Sequence, residues 1–263
     1  ATIDLDMCGT EYTIGFDTAV NTGMDALNKL RDTSNSHERC SVVEVMGRDA
    51  GWLTASAALT KVSGGIAPDL VYLPERVFAP EEFIASVNEI QKNHPAVLVA
   101  ISEGVKFADG RYVGEGLGGR KVDAFGHVAL SGAGKVLEEL VKEKIGCKVR
   151  SIELNLPQRC AAHIASAQDL TESVAVGRAA VKAAAEGLSR EMMLILRGEG
   201  EEYSYTIGHS DVSEIANKIK VVDDKFISEA GNNVTDEFIE YVVPLIQGEL
   251  ETPYEHGMPK YAR

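Results

Sequence analysis

Apolar and polar positions change period several times along this chain, and each change marks an element. Phe16, Val20, Met24, Leu27 and Leu30 recur at spacings of three and four, which predicts a helix with one apolar stripe. Gly23 lies within that stripe and weakens the helix by about 1 kcal/mol relative to alanine. The polar run Thr33-Ser34-Asn35-Ser36 is expected to end it. Ser41 to Met46 is β-branched and reads as a strand, Gly47 to Gly51 as a turn, and residues 52–62 as a helix. Asp69 to Leu73 is a second strand. Pro80-Glu81-Glu82 then opens a helix, with proline early and acids in the first turn, where the helix dipole favours them. Phe83, Ile84, Val87 and Ile90 form its inward face. Ala96 to Ser102 is continuously apolar, the pattern of a strand buried on both faces.

A Gly-rich loop over 103–122 leads to a helix over about 128–145, carrying Leu130, Val136, Leu137, Leu140 and Val141. Lys148 to Leu154 is the next strand. Strands alternating with helices at this spacing predict an α/β fold, a Rossmann-like three-layer domain with a largely parallel sheet. Such sheets bind ligands beyond the carboxyl ends of their strands. After a loop at 155–162 come an Ala-rich helix over 168–188 and a strand from Met192 to Leu196, with Glu201 to Ile207 as a hairpin partner. A short helix from Val212, another near Thr235 to Val243 and a polar tail from Thr252 complete the pattern.

Composition narrows the classes. Of 263 residues 44% are apolar, enough for a substantial core. No apolar run reaches the roughly 18 residues of a membrane-spanning helix, and no charged-then-apolar leader suggests export. Forty acids against 26 bases leave a formal charge of −14, which disfavours a nucleic-acid partner. An anionic ligand must therefore be met by a few locally placed arginines. Cys8, Cys40, Cys147 and Cys160 form no Cys-x-x-Cys pair and read as reduced thiols of a cytoplasmic protein.

The candidate chemistry collects at predicted strand ends. Asp4 and Asp6, in Thr2-Ile3-Asp4-Leu5-Asp6, would point to one side of an extended segment. A hydroxyl and two carboxylates there suit activation of a hydroxyl or organisation of a metal-bound phosphate. The first strand ends in Met46-Gly47-Arg48 with Arg39 before its start. A later strand ends in Ser102-Glu103-Gly104, and the fourth leads into Pro157-Gln158-Arg159 with Arg150 near its beginning. Guanidinium forks bind phosphate oxygens through paired hydrogen bonds, and a carboxylate such as Glu103 suits sugar hydroxyls. Four arginines and a glutamate gathered by topology suggest a sugar-phosphate site. Gly114-x-Gly116-x-x-Gly119 has the glycines of a dinucleotide fingerprint but not its strand-to-helix setting, so it reads as loop. His127 and His163 lack partners at metal-ligand spacing.

Several ordered runs resemble the phosphofructokinase family. They are Thr2-Ile3-Asp4-x-Asp6, Gly9-Thr10-Glu11-Tyr12-Thr13-Ile14-Gly15-Phe16-x-Thr18-Ala19, and Asp32-Thr33-Ser34-x-Ser36-His37-x-Arg39 continuing through Ser41 to Arg48. Ser102 to Lys106, Asp123 to His127, Leu156 to Arg159, His163 to Ser166 and Pro253-Tyr254-x-x-Gly257-x-Pro259-x-Tyr261 resemble its longer, pyrophosphate-using branch. The resemblance implies a phosphotransferase acting on fructose 6-phosphate in glycolysis, with pyrophosphate or ATP as donor and Mg²⁺ as cofactor. It implies that Asp4 is the base toward the sugar 1-hydroxyl, with Thr2 and Asp6 flanking the transferred phosphoryl and its Mg²⁺. Met46, Gly47 and Glu103 would hold the sugar, Arg48 would stabilise the transferring group, and Arg159 would grip the 6-phosphate. Arg39 and Arg150 would reach into a neighbouring subunit's site, which implies a homo-oligomer with shared active sites.

The chain departs from the family pattern at Leu5, where the family has Asn, and at Leu156, where it has His or Tyr. It also contains no Gly-Gly-Asp donor loop. The expectation is a fragment of a two-domain phosphofructokinase fold. Residues 1–15 would be a remnant of the donor domain carrying the Asp motif, 16–158 the sugar-phosphate domain, and 159–263 a return segment packing on the donor domain. Such a chain alone would bind sugar phosphate weakly and not turn over. The alternatives are a non-catalytic subunit or sugar-phosphate-binding module, and a phosphotransferase for a related sugar or nucleoside.

Overall fold

Four strands carry the architecture: β1 (Cys40–Val45), β2 (Leu70–Tyr72), β3 (Val97–Ser102) and β4 (Val149–Glu153). The computed structural model describes residues 3–116, 132–200, 202–246 and 248–260. The four strands are all parallel and lie side by side in the order β2-β3-β1-β4. Every residue of β1 and β3 is buried, as their apolar runs require, whereas β4 is a partly exposed edge.

Alternation along these strands feeds two cores. Val43, Val45, Leu98 and Ala100 face α1 (Phe16–His37) and α2 (Trp52–Ala55), meeting Phe16, Leu27 and Trp52. Val42, Val97, Val99 and Ile101 face α3 (Pro80–Gln91) and α4 (Ala133–Lys144), meeting Phe83, Val87, Leu137 and Val141. Helices on both faces make three layers. The crossover from β1 toward β2 runs under one face, and that from β3 toward β4 over the other. Adjacent β1 and β3 therefore exit to opposite sides, and a ligand crevice opens beyond their carboxyl ends.

Buried carboxylates serve as helix caps where the helices bring none of their own. The N-cap of α4 is Gly132, and Glu44 of β1 accepts the Gly132 and Gly134 amides at 3.2 and 2.7 Å. Burial pushes the Glu44 carboxyl up to about 7, against those two amide donors and with Glu153 and Glu103 adding to the rise. At the other face, α1 begins after Gly15. Asp169 of α5 (Ala167–Ala185) accepts the Gly15 and Thr18 amides at 2.6 and 2.9 Å and the Tyr12 hydroxyl at 2.7 Å.

The antiparallel hairpin β5 (Glu191–Arg197) and β6 (Tyr205–Asp211) is stitched to the N-terminal stretch. The Glu11 amide donates to Ile195 O at 2.8 Å, and Thr10 Oγ1 bonds both the amide and the carbonyl of Ile195 at 3.1 Å. Phe226 and Phe238, the latter on α6 (Asp236–Val242), pack on Trp52 with ring centroids 6.2 Å away in both cases. A two-residue pair, β7 (Tyr254–Glu255) with β8 (Met258–Pro259), closes the tail. No helix of the described residues is long and apolar enough to cross a membrane.

The predicted α/β class and parallel sheet hold, with local corrections. The run from Ile3 to Leu5 is a bend, not an extended strand, because Asp4 Oδ1 accepts the next amide, that of Leu5, at 3.0 Å. Helix α1 continues through Thr33 to Ser36 to end at His37. Ser34 Oγ bonds back to Leu30 O at 2.5 Å and meets Ser41 Oγ at 2.6 Å, so the hydroxyls are absorbed rather than competing with the helix. The helix expected at 52–62 is one α turn followed by a 3₁₀ run, Ser56–Lys61. The second hairpin strand starts at Tyr205 instead of Glu201, because Gly198 already pairs with Ser204 in the turn. The stretch 155–162 contains a 3₁₀ turn at Leu156–Arg159, and a second begins at Ala162. Leu130, Asp123 to His127, Gly119 and Tyr261 lie outside the described residues.

Candidate active site

The crevice beyond β1 and β3 is a cavity of about 460 Å³, bordered by Ile3, Asp4, Asp6, Met46 to Asp49, Leu53, Glu103, Arg159, Asn217 and Ile219. Strand β1 delivers Met46, Gly47 and Arg48 to it directly, and β3 delivers Glu103. The two exits are locked together by backbone: Glu103 N donates to Val45 O at 3.1 Å and Gly104 N to Gly47 O at 3.0 Å. Glycine is required at both turns. Gly47 has φ +148°, and a Cβ there would lie 2.7 Å from Ala50 O and 3.4 Å from Asp4 Oδ2. A Cβ on Gly104 would lie 1.6 Å from Arg48 O. The missing side chains let the two loops and the Asp4 carboxylate share one small volume.

Asp4 is 6% exposed. Its carboxyl is held well above the usual range, first by burial and then by the charge of Asp6. The Leu5 and Leu53 amides oppose that rise. Glu103 is raised as well, mainly by burial, against the Gly47 amide, Arg48 and Arg159. The Gly47 amide approaches Glu103 Oε1 at 3.4 Å. Arg159 is exposed at the rim, and its Nε donates to Met46 Sδ at 3.2 Å. Gln158 behind it is buried and accepts the Met46 amide at 3.2 Å, which seats the 157–159 turn on the end of β1. Arg48 Nε is buried without a hydrogen-bond partner among the described residues, so this guanidinium has donor capacity to spare.

Two cations among four carboxylates (Asp4, Asp6, Asp49, Glu103) form a lining suited to a ligand carrying both phosphate and hydroxyl groups. A larger cavity of about 520 Å³ beside it, lined by Met7, Tyr12, Met192, Met193, Ile195 and Ile215 among others, is mostly apolar and gathers no such set.

Seven predicted residues thus converge: Asp4, Asp6, Met46, Gly47, Arg48, Glu103 and Arg159. Thr2 lies outside the described residues. Arg39 and Arg150 do not join them, which corrects the expectation of four arginines in one cluster. They sit at the amino ends of β1 and β4, where Ser41 registers with Arg150, and line a separate basic cavity of about 430 Å³ with Lys142, Cys147 and Lys148. Parallel strands put their two ends on opposite sides of the domain, so one chain cannot unite these sets. Leu5 is buried in the core, and Leu156 is 68% exposed at the turn carrying Arg159. His163 is a 3₁₀-turn residue whose carbonyl accepts Thr252 Oγ1 at 2.5 Å, and no metal-holding cluster of His, Cys, Asp or Glu occurs among the described residues.

Leu53, Asn217 and Ile219 escaped sequence reasoning. Asp49 lay within a recognised turn and next to Arg48. The 215–220 segment has neither period nor motif. Only tertiary pairing brings it in, through the Met7–Ile219 bridge and Lys220 N donating to Asp6 O at 2.8 Å.

The fold and site together define an α/β domain whose ligand crevice sets carboxylates against guanidinium groups. Residues 1–184 match the family model described as phosphofructokinase, and the chain belongs to that family. It is 36% identical over 264 residues to the pyrophosphate–fructose 6-phosphate 1-phosphotransferase of Methylococcus capsulatus, covering 99% of this chain and 62% of that relative. It is 33% identical to the enzyme of the same name from Halomonas elongata, covering 100% and 63%. The pyrophosphate-dependent phosphofructokinase structure from Nitrosospira multiformis superposes with a TM-score of 0.84 at 32% identity, over 100% of this chain and 62% of that one. The chain therefore spans a little under two thirds of the length of these relatives.

Proposed function

We propose that this chain carries the sugar-phosphate side and the catalytic carboxylates of a phosphotransferase. In this reading a phosphoryl group moves from pyrophosphate to the 1-hydroxyl of fructose 6-phosphate. The observation that carries it is the buried Asp4, its carboxyl pushed up by burial and by Asp6, on the same cavity as Arg48, Glu103 and Arg159. A carboxylate of raised affinity for protons suits a general base working near neutral pH. Asp4 takes the proton of the 1-hydroxyl as that oxygen bonds to phosphorus. The bridging P–O bond breaks, and its electron pair leaves with inorganic phosphate. Arg48 neutralises charge on the transferring group, the main way proteins assist this reaction.

Arg159 binds the 6-phosphate from the rim, and Met46, Gly47 and Glu103 orient the sugar. Asp6 supplies hard oxygen donors of the type Mg²⁺ prefers. That ion usually takes only one or two carboxylates plus substrate phosphates. When bound, Mg²⁺ would neutralise donor oxygens. Pyrophosphate is preferred over ATP because the relatives named above are pyrophosphate enzymes. A homo-oligomer in which Arg39 and Arg150 complete a neighbour's site is supported by their seclusion in a basic cavity away from their own crevice. The three-part division at 15/16 and 158/159 draws support from the stitching of Thr10 and Glu11 to Ile195.

Calorimetric titration with fructose 6-phosphate tests the reading. Saturable binding is expected, weakened about tenfold by Arg159→Ala through loss of one charge-assisted contact. No saturable binding overturns it.

A further inference from the structure

Glu75 follows β2 at the carboxyl end of the sheet, yet it does not line the cavity. Its Oε1 accepts two backbone amides, Gly51 at 3.0 Å and Val222 at 2.8 Å. Each amide belongs to a segment that fixes one of the two aspartates. Gly51 precedes α2, whose Leu53 amide donates to the Asp4 carboxylate. Val222 ends the segment in which Lys220 N donates to Asp6 O at 2.8 Å and Ile219 bridges Met7. Trp52 closes the loop, its Nε1 donating to Lys220 O at 2.8 Å. Gly51 admits this approach because it has no Cβ: one would lie 2.9 Å from Glu75 Oε2, from Leu73 Cδ2 and from Pro74 Cδ.

We propose that Glu75 is a positioning residue, one carboxylate oxygen clamping together the two backbone segments that hold Asp4 and Asp6. The proposal rests on the reading of these aspartates as the reactive pair. What the clamp needs is an acceptor at that reach, not a charge. Glutamine keeps such an acceptor, alanine removes it, and aspartate withdraws it by one methylene while keeping the charge.

Amide hydrogen exchange on the chain reads the clamp without requiring turnover. In Glu75→Ala, exchange at Gly51, Leu53, Lys220 and Val222 is expected to rise about tenfold or more, with β1 and β3 amides unchanged. Glu75→Gln should stay within about threefold of wild type, since its carbonyl replaces the acceptor. Wild-type protection in the alanine variant overturns the proposal. So does glutamine behaving like alanine. If the alanine variant does not fold, Glu75→Asp against Glu75→Gln decides: faster exchange in the aspartate variant supports the clamp, and faster exchange in the glutamine variant overturns it. Where the wild-type protein turns over, Glu75→Ala should lower kcat about tenfold to a hundredfold with KM for fructose 6-phosphate little changed, and Glu75→Gln should restore it. A rise in KM alone overturns the positioning role. No turnover by wild type counts against the proposed function, and the exchange rates then judge Glu75 independently.

Discussion

The two ends of the same parallel sheet are built on opposite plans. Its carboxyl end is assembled from backbone, with two glycine turns, paired amide–carbonyl bonds and carboxylates buried against them. Its amino end gathers long cationic side chains, Arg39, Lys142, Lys148 and Arg150, around a cavity that also holds the buried Glu138. Rigid, desolvated groups with altered proton affinity belong where bonds are made and broken. The cations at the other end are partly tied down, with Arg39 Nε buried and Lys142 paired with Glu138. The contrast is what the proposed function builds on, with the reacting groups at one end and the basic cavity at the other.

The sharpest way to break this contrast is Asp4→Asn. Where the wild-type protein turns over, it is expected to cut kcat by about a thousandfold while leaving sugar-phosphate binding largely intact. It should also raise the melting temperature near pH 8. The raised Asp4 carboxyl stabilises the fold only below its unfolded value and loses that contribution as pH rises through the folded one. Asparagine escapes that loss. An active Asp4→Asn variant would move the chemistry elsewhere.

A smaller effect should arise between the two ends, at Glu44. Its carboxyl is raised from 4.5 to about 7, so its contribution to stability is complete below about pH 4.5 and vanishes as pH climbs through 7. Compared with Glu44→Gln, the wild type should lose about 3 kcal/mol between pH 4.5 and pH 8, read by denaturant unfolding. Parallel pH curves for the two proteins would show that the cap on α4 does not titrate in this range.

The smallest change in stability is expected at the basic end. Arg39→Ala should shift unfolding by less than about 0.5 kcal/mol. Where the wild-type protein turns over, its informative readout is complementation: mixing inactive Arg39→Ala and Asp4→Asn proteins should recover activity if each copy lends Arg39 to its neighbour. No recovery on mixing would confine that arginine to its own chain.

Much of this was legible in the residues. The Phe16–Leu30 stripe, the β-branched run before Met46 and the apolar run ending at Ser102 announced a helix and two strands, and strand–helix alternation announced the parallel sheet. Met46-Gly47-Arg48, Glu103 and Arg159 were visible as strand-end residues, and ordered motifs tied Asp4 and Asp6 to them. The errors were of another kind. Thr33 to Ser36 looked like a helix stop because free hydroxyls compete for backbone. Here Leu30 O and Ser41 Oγ engage the Ser34 hydroxyl, and α1 runs on.

The sequence by itself determined the element types and the chemistry waiting at their ends, because side-chain period and turn chemistry follow from the geometry of one short segment. Tertiary structure alone decided which ends meet. Strand order and parallel direction carried Arg39 and Arg150 away from Arg48 and Arg159. Burial raised the proton affinity of Asp4. Pairing between segments far apart in the chain, Asp6 with Lys220 and Glu75 with Val222 across 147 residues, supplied the walls that hold it. Such contacts join segments whose own patterns say nothing of each other, so no local reading could have contained them.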